Sequence, residues 1–483
     1  MKSETSIKIS NSIKCLENKA ISCIIKIALL QANYARMSDQ KWERRCFIVE
    51  KFVLIPRDHY RQKLLRLANN GNVTFVVGVR RVGKSCIAAQ LEEDLREYGA
   101  DGAAILRYNF ETTDAVRLTA DDLINYVRKR HVEGVRNYLI LDEVTHVVEW
   151  ERAIDSLCQY EDCKLFLFSS NRRILSDRLD AVAKNAFDVV DVLPLSLPEF
   201  MAFQQFQEIT PPDTPLLEKK YVRFNEKDRT YTVEEIYGCY ITYGGLPVMK
   251  PEYMDMERAW VITDGSYGAI VTRDILEIGS GNGISAVTDP VLLRSVISIM
   301  AKSIGQNVSA TWIAHQTAEY LQRPSATKTI ESYIRALLNA HLFYIAERCD
   351  IRKEKTLKTL AKFYIVDAAI HNYVLGGPAE NEIHLLENKV FFELIRRGYR
   401  VCNGKLGQSE VQLVASDERG KIYIQVVDEL MEDGMDRKLA PLRKIRDSHP
   451  KLVIVFHGSS GTTEDGIVIL NAFEFLMGAS WGR

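Results

Sequence analysis

Past residue 72 the apolar positions fall into short β-rich runs separated by stretches of helical period. Val73–Val77, Ala103–Phe110, Asn137–Leu141, Lys164–Phe168 and Phe187–Leu193 read as strands; helices are expected over Lys84–Tyr98, Thr119–His131, Trp150–Gln159 and Ile174–Val182. Alternation at this spacing predicts an α/β fold, a parallel sheet covered by helices on both faces. From Leu197 to Leu276 the pattern turns mainly helical around a proline-rich loop at Ile209–Pro215, as a lid would. Glycine-rich breaks at Gly279–Gly283 and Gly376–Pro378 mark further boundaries.

The first strand runs into GVRRVGKS: Gly78, Val79, Arg80, Arg81, Val82, Gly83, Lys84 and Ser85, with Cys86 next. Glycines in this pattern let successive backbone N–H groups turn inward around phosphate oxygens, and the following helix aims its positive end at the same anion. Lys84 is then expected at the β- and γ-phosphates of ATP and the Ser85 hydroxyl at Mg²⁺. A later strand ends in Asp142 and Glu143, with one strand between it and the loop. Asp142 is placed to hold Mg²⁺ through water and Glu143 to polarise the attacking water. A passive nucleotide binder needs only the aspartate, so the pair favours a P-loop ATPase. The next strand leads into Ser169, Ser170 and Asn171; a polar side chain between Glu143 and the γ-phosphate is expected there, Asn171 first and Ser170 second. Arg172 and Arg173 follow as candidate cations for transition-state charge, in their own subunit or a neighbour's. A solvated loop pair explains them equally well.

With these motifs the chain resembles bacterial and archaeal AAA-type ATPases that carry a C-terminal domain of unknown function. The resemblance covers roughly Arg57–Leu476. It rests on GVRRVGKS, LDEVTHVVEWERAI (Leu141–Ile154), FSSN (Phe168–Asn171), PLSLPEF (Pro194–Phe200), YGGLPVM (Tyr243–Met249) and RDI (Arg273–Ile275). It implies an ATP-binding core, a helical lid, a winged-helix segment and a C-terminal domain similar to restriction endonucleases. Asn185 and Ala186 stand where the family shows Gly-Arg, so the resemblance implies that the arginine's role is either lost or moved, with Arg172 and Arg173 as candidates. Thr145 stands where many members have glutamine. The expected order is an N-terminal extension over 1–56, a P-loop core over 57–200, a lid over 201–284, a winged-helix segment over 285–376 and an endonuclease-like domain over 377–483.

Within the fourth part, Val291–Ser303, Trp312–Leu321 and Ala326–Ala340 read as helices, the last with Ile330, Ile334 and Leu337 on one face. Two strand-like runs then flank the charged hairpin IRKEKTLKTL. Residues 286–376 hold eleven Lys/Arg and seven Asp/Glu, a net +4 within a chain of net charge −1. Lys328 and Arg335 on the third helix, with Arg352, Lys353 and Lys355 on the hairpin, are candidate contacts for double-stranded DNA; a protein-docking face is an even alternative. In the last part Glu387 and Glu410 are present, but Gln412, Gln425 and Val427 occupy positions where active nucleases of this architecture carry acids and a lysine. Too few anionic ligands remain for a divalent ion, so nuclease activity is not expected.

The near-balance of 63 basic and 64 acidic residues excludes a uniformly basic nucleic-acid coat protein. Nine scattered cysteines form no CxxC, which indicates reduced thiols rather than a disulfide framework or a zinc site. The longest apolar run, Ala20–Leu30, is interrupted by Lys26 and too short to span a bilayer. A cytoplasmic, membrane-free ATPase is expected, with an oligomer open. Two rivals remain: a nucleotide-gated DNA- or protein-binding module with little hydrolysis, and an active metal-dependent nuclease.

Overall fold

The computed structural model describes residues 57–483 except 71–72, 112–117, 176–186, 225, 278–286, 378–381, 431 and 482–483. The core begins with α1 (Asp58–Ala68), β1 (Val73–Val77), α2 (Lys84–Glu97), β2 (Ile105–Asn109), α3 (Ala120–Arg128), β3 (Asn137–Asp142), α4 (Trp150–Leu157), β4 (Cys163–Ser169) and β5 (Asp188–Asp191). The strands form one parallel sheet in the order β2-β3-β4-β1-β5. Period-two alternation decides what each face buries. Ile140, Phe166 and Phe168 pack with Ile87, Leu91 and Leu95 of α2, whereas Leu139, Leu141, Leu165 and Leu167 pack with Leu123 of α3 and Ile154 and Leu157 of α4. Burial on both faces explains why these strands read as continuous apolar runs. Of the helix expected at Ile174–Val182, only the turn Arg172–Leu175 is described; the remainder, with Asn185 and Ala186, lies outside the described residues.

The lid region comprises α5 (Leu197–Phe203), β6 (Phe206–Glu208), β7 (Tyr221–Arg223), β8 (Glu226–Tyr231), α6 (Val233–Tyr243) and α7 (Met256–Ala269), which runs on into a π-helical turn at Ile270–Glu277. It departs from the mainly helical expectation, because β6, β7 and β8 make an antiparallel sheet. Phe206, Tyr221 and Tyr231 are buried apolar anchors of this sheet, with Phe206 edge-on to Tyr231, and the charged run in β8 conceals the strand.

Next come α8 (Pro290–Lys302), β9 (Asn307–Val308), α9 (Ala310–Leu321), α10 (Thr327–Asn339), β10 (Phe343–Asp350), β11 (Lys355–Ile365), α11 (Ala368–Leu375) and α12 (Glu382–Arg396). The chain continues as β12 (Arg400–Leu406), β13 (Ser409–Asp417), β14 (Gly420–Glu429), α13 (Glu432–Arg443), β15 (Lys451–His457), β16 (Gly461–Thr462), β17 (Val468–Asn471) and α14 (Ala472–Leu476). One sheet in the order β16-β17-β15-β14-β13-β12-β10-β11-β9 runs through all of this, joined by the parallel pair β10–β12 across the break at Gly376. That pairing also corrects the thiol expectation: Cys349 and Cys402 are disulfide-linked across it, with Cα atoms 6.2 Å apart. They lie 53 positions apart, so no local spacing announces them. Cys86, Cys158, Cys163 and Cys239 are free. No described helix is long and apolar enough to cross a membrane; Ala20–Leu30 lies outside the described residues.

The two most distinctive sequence motifs meet at the junction of core and C-terminal part. Leu195 of PLSLPEF donates its N–H to Gly245 O (2.8 Å) and accepts from the Tyr240 hydroxyl (2.6 Å). Gly245 in turn donates to Asp367 Oδ2 (2.6 Å), just before α11. Gly244 has φ +75°, and a Cβ there would lie 2.2 Å from Asp367 Oδ1, so this approach requires glycine. Glu199 lies between Arg57 (3.0 Å) and Arg396 of α12 (3.5 Å), and Arg396 also donates to Pro194 O (2.8 Å).

Candidate active site

Parallel strands put their C-terminal ends on one edge, where the connecting loops can converge. Here that edge carries the loop Gly78–Ser85 after β1, Asn109–Glu111 after β2, Asp142–Glu143 at the end of β3 and Ser169–Asn171 after β4. Gly83 has φ +99° and begins α2 in a conformation that a side chain would strain. Arg81 is also left-handed, at φ 68°; such backbone outliers concentrate where a ligand must be approached closely.

A cavity of about 390 Å³ opens at this edge, lined by Arg80, Arg81, Gly83, Lys84, Ser85, Cys86, Glu111, Glu143, Pro247, Val248, Ala269 and Arg273. The Lys84 ammonium is held in the loop by Gly78 O (2.9 Å) and Val79 O (3.2 Å), with Glu143 Oε1 at 3.9 Å. Ser85 Oγ donates to Asp142 Oδ2 (2.5 Å), while Asp142 Oδ1 is buried without a hydrogen-bond partner. Glu143 accepts from the Ser170 N–H (2.8 Å). Burial raises both carboxyls above their ordinary range: the Ser85 bond and Lys84 oppose this at Asp142, Lys84 opposes it at Glu143, and Asp142 adds to it there.

The expected loop residues, Asp142 and Glu143 thus come together at one place. The structure also locates the two polar candidates after β4. Ser170 touches Glu143 through its backbone, whereas the Asn171 amide donates to Asp274 O (2.8 Å) and turns towards the lid. Arg172 and Arg173 do not line the cavity. Arg172 pairs with Asp191 (3.3 Å) at a different opening, beside Tyr344 and Tyr399, and Arg173 is half-buried. The cations that do reach the cavity are Arg80, Arg81, Lys84 and Arg273.

Arg273 and Asp274 are the residues for which the sequence suggested no role, although RDI marks their position. Asp274, with its side chain fully buried, binds Arg80 Nε (2.9 Å) and Nη2 (2.8 Å) and accepts from Ser170 Oγ (2.7 Å). It therefore ties the π-helical turn of the lid to the phosphate loop and to the strand end that holds Glu143.

A second acidic cluster lies in the C-terminal part. Lys362 Nζ of β11 is 3.0 Å from Glu387 Oε1 of α12 and 3.3 Å from Glu410 Oε1 of β13. Glu387 also accepts from the Tyr364 hydroxyl (2.7 Å) and Glu410 from Asn307 (2.5 Å). Gln425 donates to Glu410 O (3.2 Å) and Gln412 accepts from Val426 N–H (2.5 Å), so both amides serve the β13–β14 pair. The five cations singled out for DNA, Lys328, Arg335, Arg352, Lys353 and Lys355, are all exposed.

Residues 70–201 match the family model of an AAA domain, and residues 234–381 match that of a domain of unknown function. An uncharacterised protein of Haemophilus influenzae is 29% identical over 429 residues, covering 88% of this chain and 99% of that protein. An uncharacterised protein of Methanocaldococcus jannaschii is 25% identical over 380 residues, covering 77% and 78% respectively. Among solved structures, the Walker-type ATPase of Pyrococcus abyssi superposes with a TM-score of 0.41 at 16% identity, covering 66% of this chain and 95% of that one. The chain thus carries an AAA-type P-loop core over residues 70–201, followed by a domain of unknown function over residues 234–381.

Proposed function

We propose that the protein is a Mg²⁺-dependent ATPase in which nucleotide binding and hydrolysis move the C-terminal part relative to the core. The observation that carries this reading is the convergence of Lys84, Ser85, Asp142 and Glu143 on one cavity edge. The hard oxygen donors Ser85 Oγ and Asp142, whose Oδ1 is buried and unpartnered, fit a divalent cation such as Mg²⁺, which would neutralise charge on the β- and γ-phosphates. Lys84 gives up its loop carbonyls to reach the phosphate oxygens. Glu143, oriented by the Ser170 N–H, accepts the proton of the attacking water. Coupling is supported by Pro247 and Val248, which line the cavity two and three residues beyond the Gly245–Asp367 contact with the C-terminal part.

Steady-state turnover of the wild type against Glu143→Gln tests the reading. The expected result is a loss of about 100-fold with nucleotide binding retained, and loss of binding in Lys84→Ala. Equal, near-zero rates in wild type and Glu143→Gln would favour a nucleotide-gated binding module. We read α8–α10 with the β10–β11 hairpin as a winged helix whose exposed cations contact duplex DNA, and the remainder as an endonuclease-like scaffold without nuclease activity. Divalent-dependent plasmid cleavage abolished by Glu410→Ala would overturn the latter.

A further inference from the structure

At the edge of the core sheet where the strands begin, opposite the nucleotide cavity, three side chains of metal-binding chemistry meet. His131 follows the end of α3, and Asp162 and Cys163 open β4. His131 Nε2 lies 2.8 Å from Asp162 Oδ2, and the Cys163 thiol also bonds to the Asp162 carboxylate. One nitrogen, one oxygen and one sulfur of these residues lie within 4.8 Å of one another; among the described residues this is the one such group of three His, Cys, Asp or Glu. Both segments are held independently of any ion. The Asn137 side chain accepts from the Val132 N–H (3.0 Å) and donates to Val132 O (2.9 Å) and Val135 O (3.0 Å), which pins the loop behind His131. Its own N–H donates to Asp162 O (2.8 Å), and the Tyr160 ring packs against His131 at 5.6 Å between centroids. Ligands fixed in this way by their surroundings are the ones that bind an ion at little entropic cost.

The donor set selects the ion. Imidazole nitrogen and thiolate sulfur suit Zn²⁺, whereas Mg²⁺ and Ca²⁺ take oxygen ligands. Bond lengths of about 2.0–2.3 Å in a tetrahedron set ligand atoms roughly 3.3–3.6 Å apart, so adjustments of about 1 Å close the site. We propose that His131 Nε2, an Asp162 carboxylate oxygen and Cys163 Sγ bind one Zn²⁺, with water in the fourth position on the exposed side of Asp162. As the Zn–S bond forms, the thiol proton leaves to solvent, and the imidazole binds through its Nε2 lone pair with its proton on Nδ1. The ion ties the end of α3 to the start of β4. Seven residues of β4 separate it from the Ser169 end by about 20 Å, so it acts on the stability of the core rather than on the nucleotide cavity. Asp162 and Cys163 are adjacent, with the histidine 31 positions before the aspartate, so no CxxC spacing marks the site in the sequence.

The test uses the full chain, stripped of metal by a chelator and handled anaerobically. Co²⁺ serves as a coloured stand-in for Zn²⁺, because a thiolate bond to it produces a charge-transfer absorption. In the wild type this absorption is expected to saturate at one equivalent, to disappear when Zn²⁺ displaces Co²⁺, and to be unaffected by Mg²⁺. Cys163→Ser is expected to lack it. His131→Ala is expected to bind Zn²⁺ at least about 100-fold more weakly, since losing even an outer-shell partner of a metal ligand costs 10–100-fold. Zn²⁺ should also raise the melting temperature of the wild type and not that of His131→Ala. A wild type without the absorption, or a Zn²⁺ affinity that His131→Ala leaves unchanged, overturns the site and leaves His131 and Asp162 as a plain ion pair. Absorption persisting in Cys163→Ser overturns it as well, because the thiolate is then another one. If Cys163→Ser does not fold, the partly exposed His131→Ala decides alone, through its Co²⁺ and Zn²⁺ affinities.

Discussion

Two clusters in this chain are built from the same parts, a lysine and a pair of carboxylates, and they have opposite characters. At the phosphate loop, Lys84 is bonded to backbone carbonyls and stands 3.9 Å from Glu143, Asp142 Oδ1 lacks a partner, and a cavity of about 390 Å³ opens beside them. In the C-terminal part, Lys362 lies 3.0 and 3.3 Å from its two carboxylates, tyrosine and asparagine donors complete the bonding, and the Lys362 and Glu387 side chains are only 3% exposed. Composition alone would rank them together. What separates them is an unpartnered carboxylate oxygen in a cluster that borders a cavity. The first cluster retains groups that a ligand can satisfy, whereas the second has already supplied its own cation. Lys362 reaches it from β11 rather than from position 427, which is a valine here.

The strongest way to break this comparison is to remove the internal cation. Lys362→Met leaves two carboxylates without their counter-ion, and the expected cost is about 3–5 kcal/mol, read as a lowered denaturation midpoint. Nucleotide binding should be unaffected. A loss under about 1 kcal/mol would mean that Lys362 merely lies alongside the carboxylates, and the C-terminal cluster would again be a candidate for a divalent ion.

A smaller effect is expected at a third ionic cluster, in the joint. Burial would raise the Glu199 carboxyl, but Arg57 and Arg396 hold it at about 2, well below its ordinary 4.5. Because the folded value lies below the unfolded one, this carboxylate stabilises the fold above pH 4.5, and the contribution is lost as pH falls towards 2. Thermal melts from pH 7 to pH 3 should show the wild type losing an advantage of about 2 kcal/mol over Glu199→Gln. Parallel pH profiles for the two proteins would show that the arginines do not hold Glu199 in solution as they do here.

The readable parts of the molecule were those whose chemistry is local in sequence. GVRRVGKS sets its own backbone turn, and Asp142 and Glu143 end a strand buried on both faces, so spacing and periodicity suffice for both. Asp274 and Arg80 are 194 positions apart, and Lys362 meets Glu387 and Glu410 from another strand; no periodicity encodes such meetings. The small lid sheet stayed hidden for a different reason. Its strands are short, and Glu226–Tyr231 is mostly charged, so few apolar positions reveal the alternation. Arg172 and Arg173 illustrate the converse, since adjacency to a strand in sequence does not aim a side chain at that strand's end within the same chain.

Arg172 provides the smallest predicted effect and the finest test of the comparison. It follows the strand end that holds Glu143, yet its guanidinium pairs with Asp191 and lines a different opening from the one that Lys84 lines. If a satisfied pair marks a structural role, Arg172→Ala should change ATP turnover by no more than about twofold, the consequence of perturbing a partly exposed pair by roughly 0.5 kcal/mol. A tenfold loss of turnover in Arg172→Ala would place its guanidinium in a neighbouring copy's site, because within this chain it faces Asp191. Dependence of wild-type turnover on protein concentration would then be required as well, since a residue supplied by a neighbour acts only when the copies associate. Concentration-independent turnover together with an inert Arg172 would leave the open cluster complete within one chain.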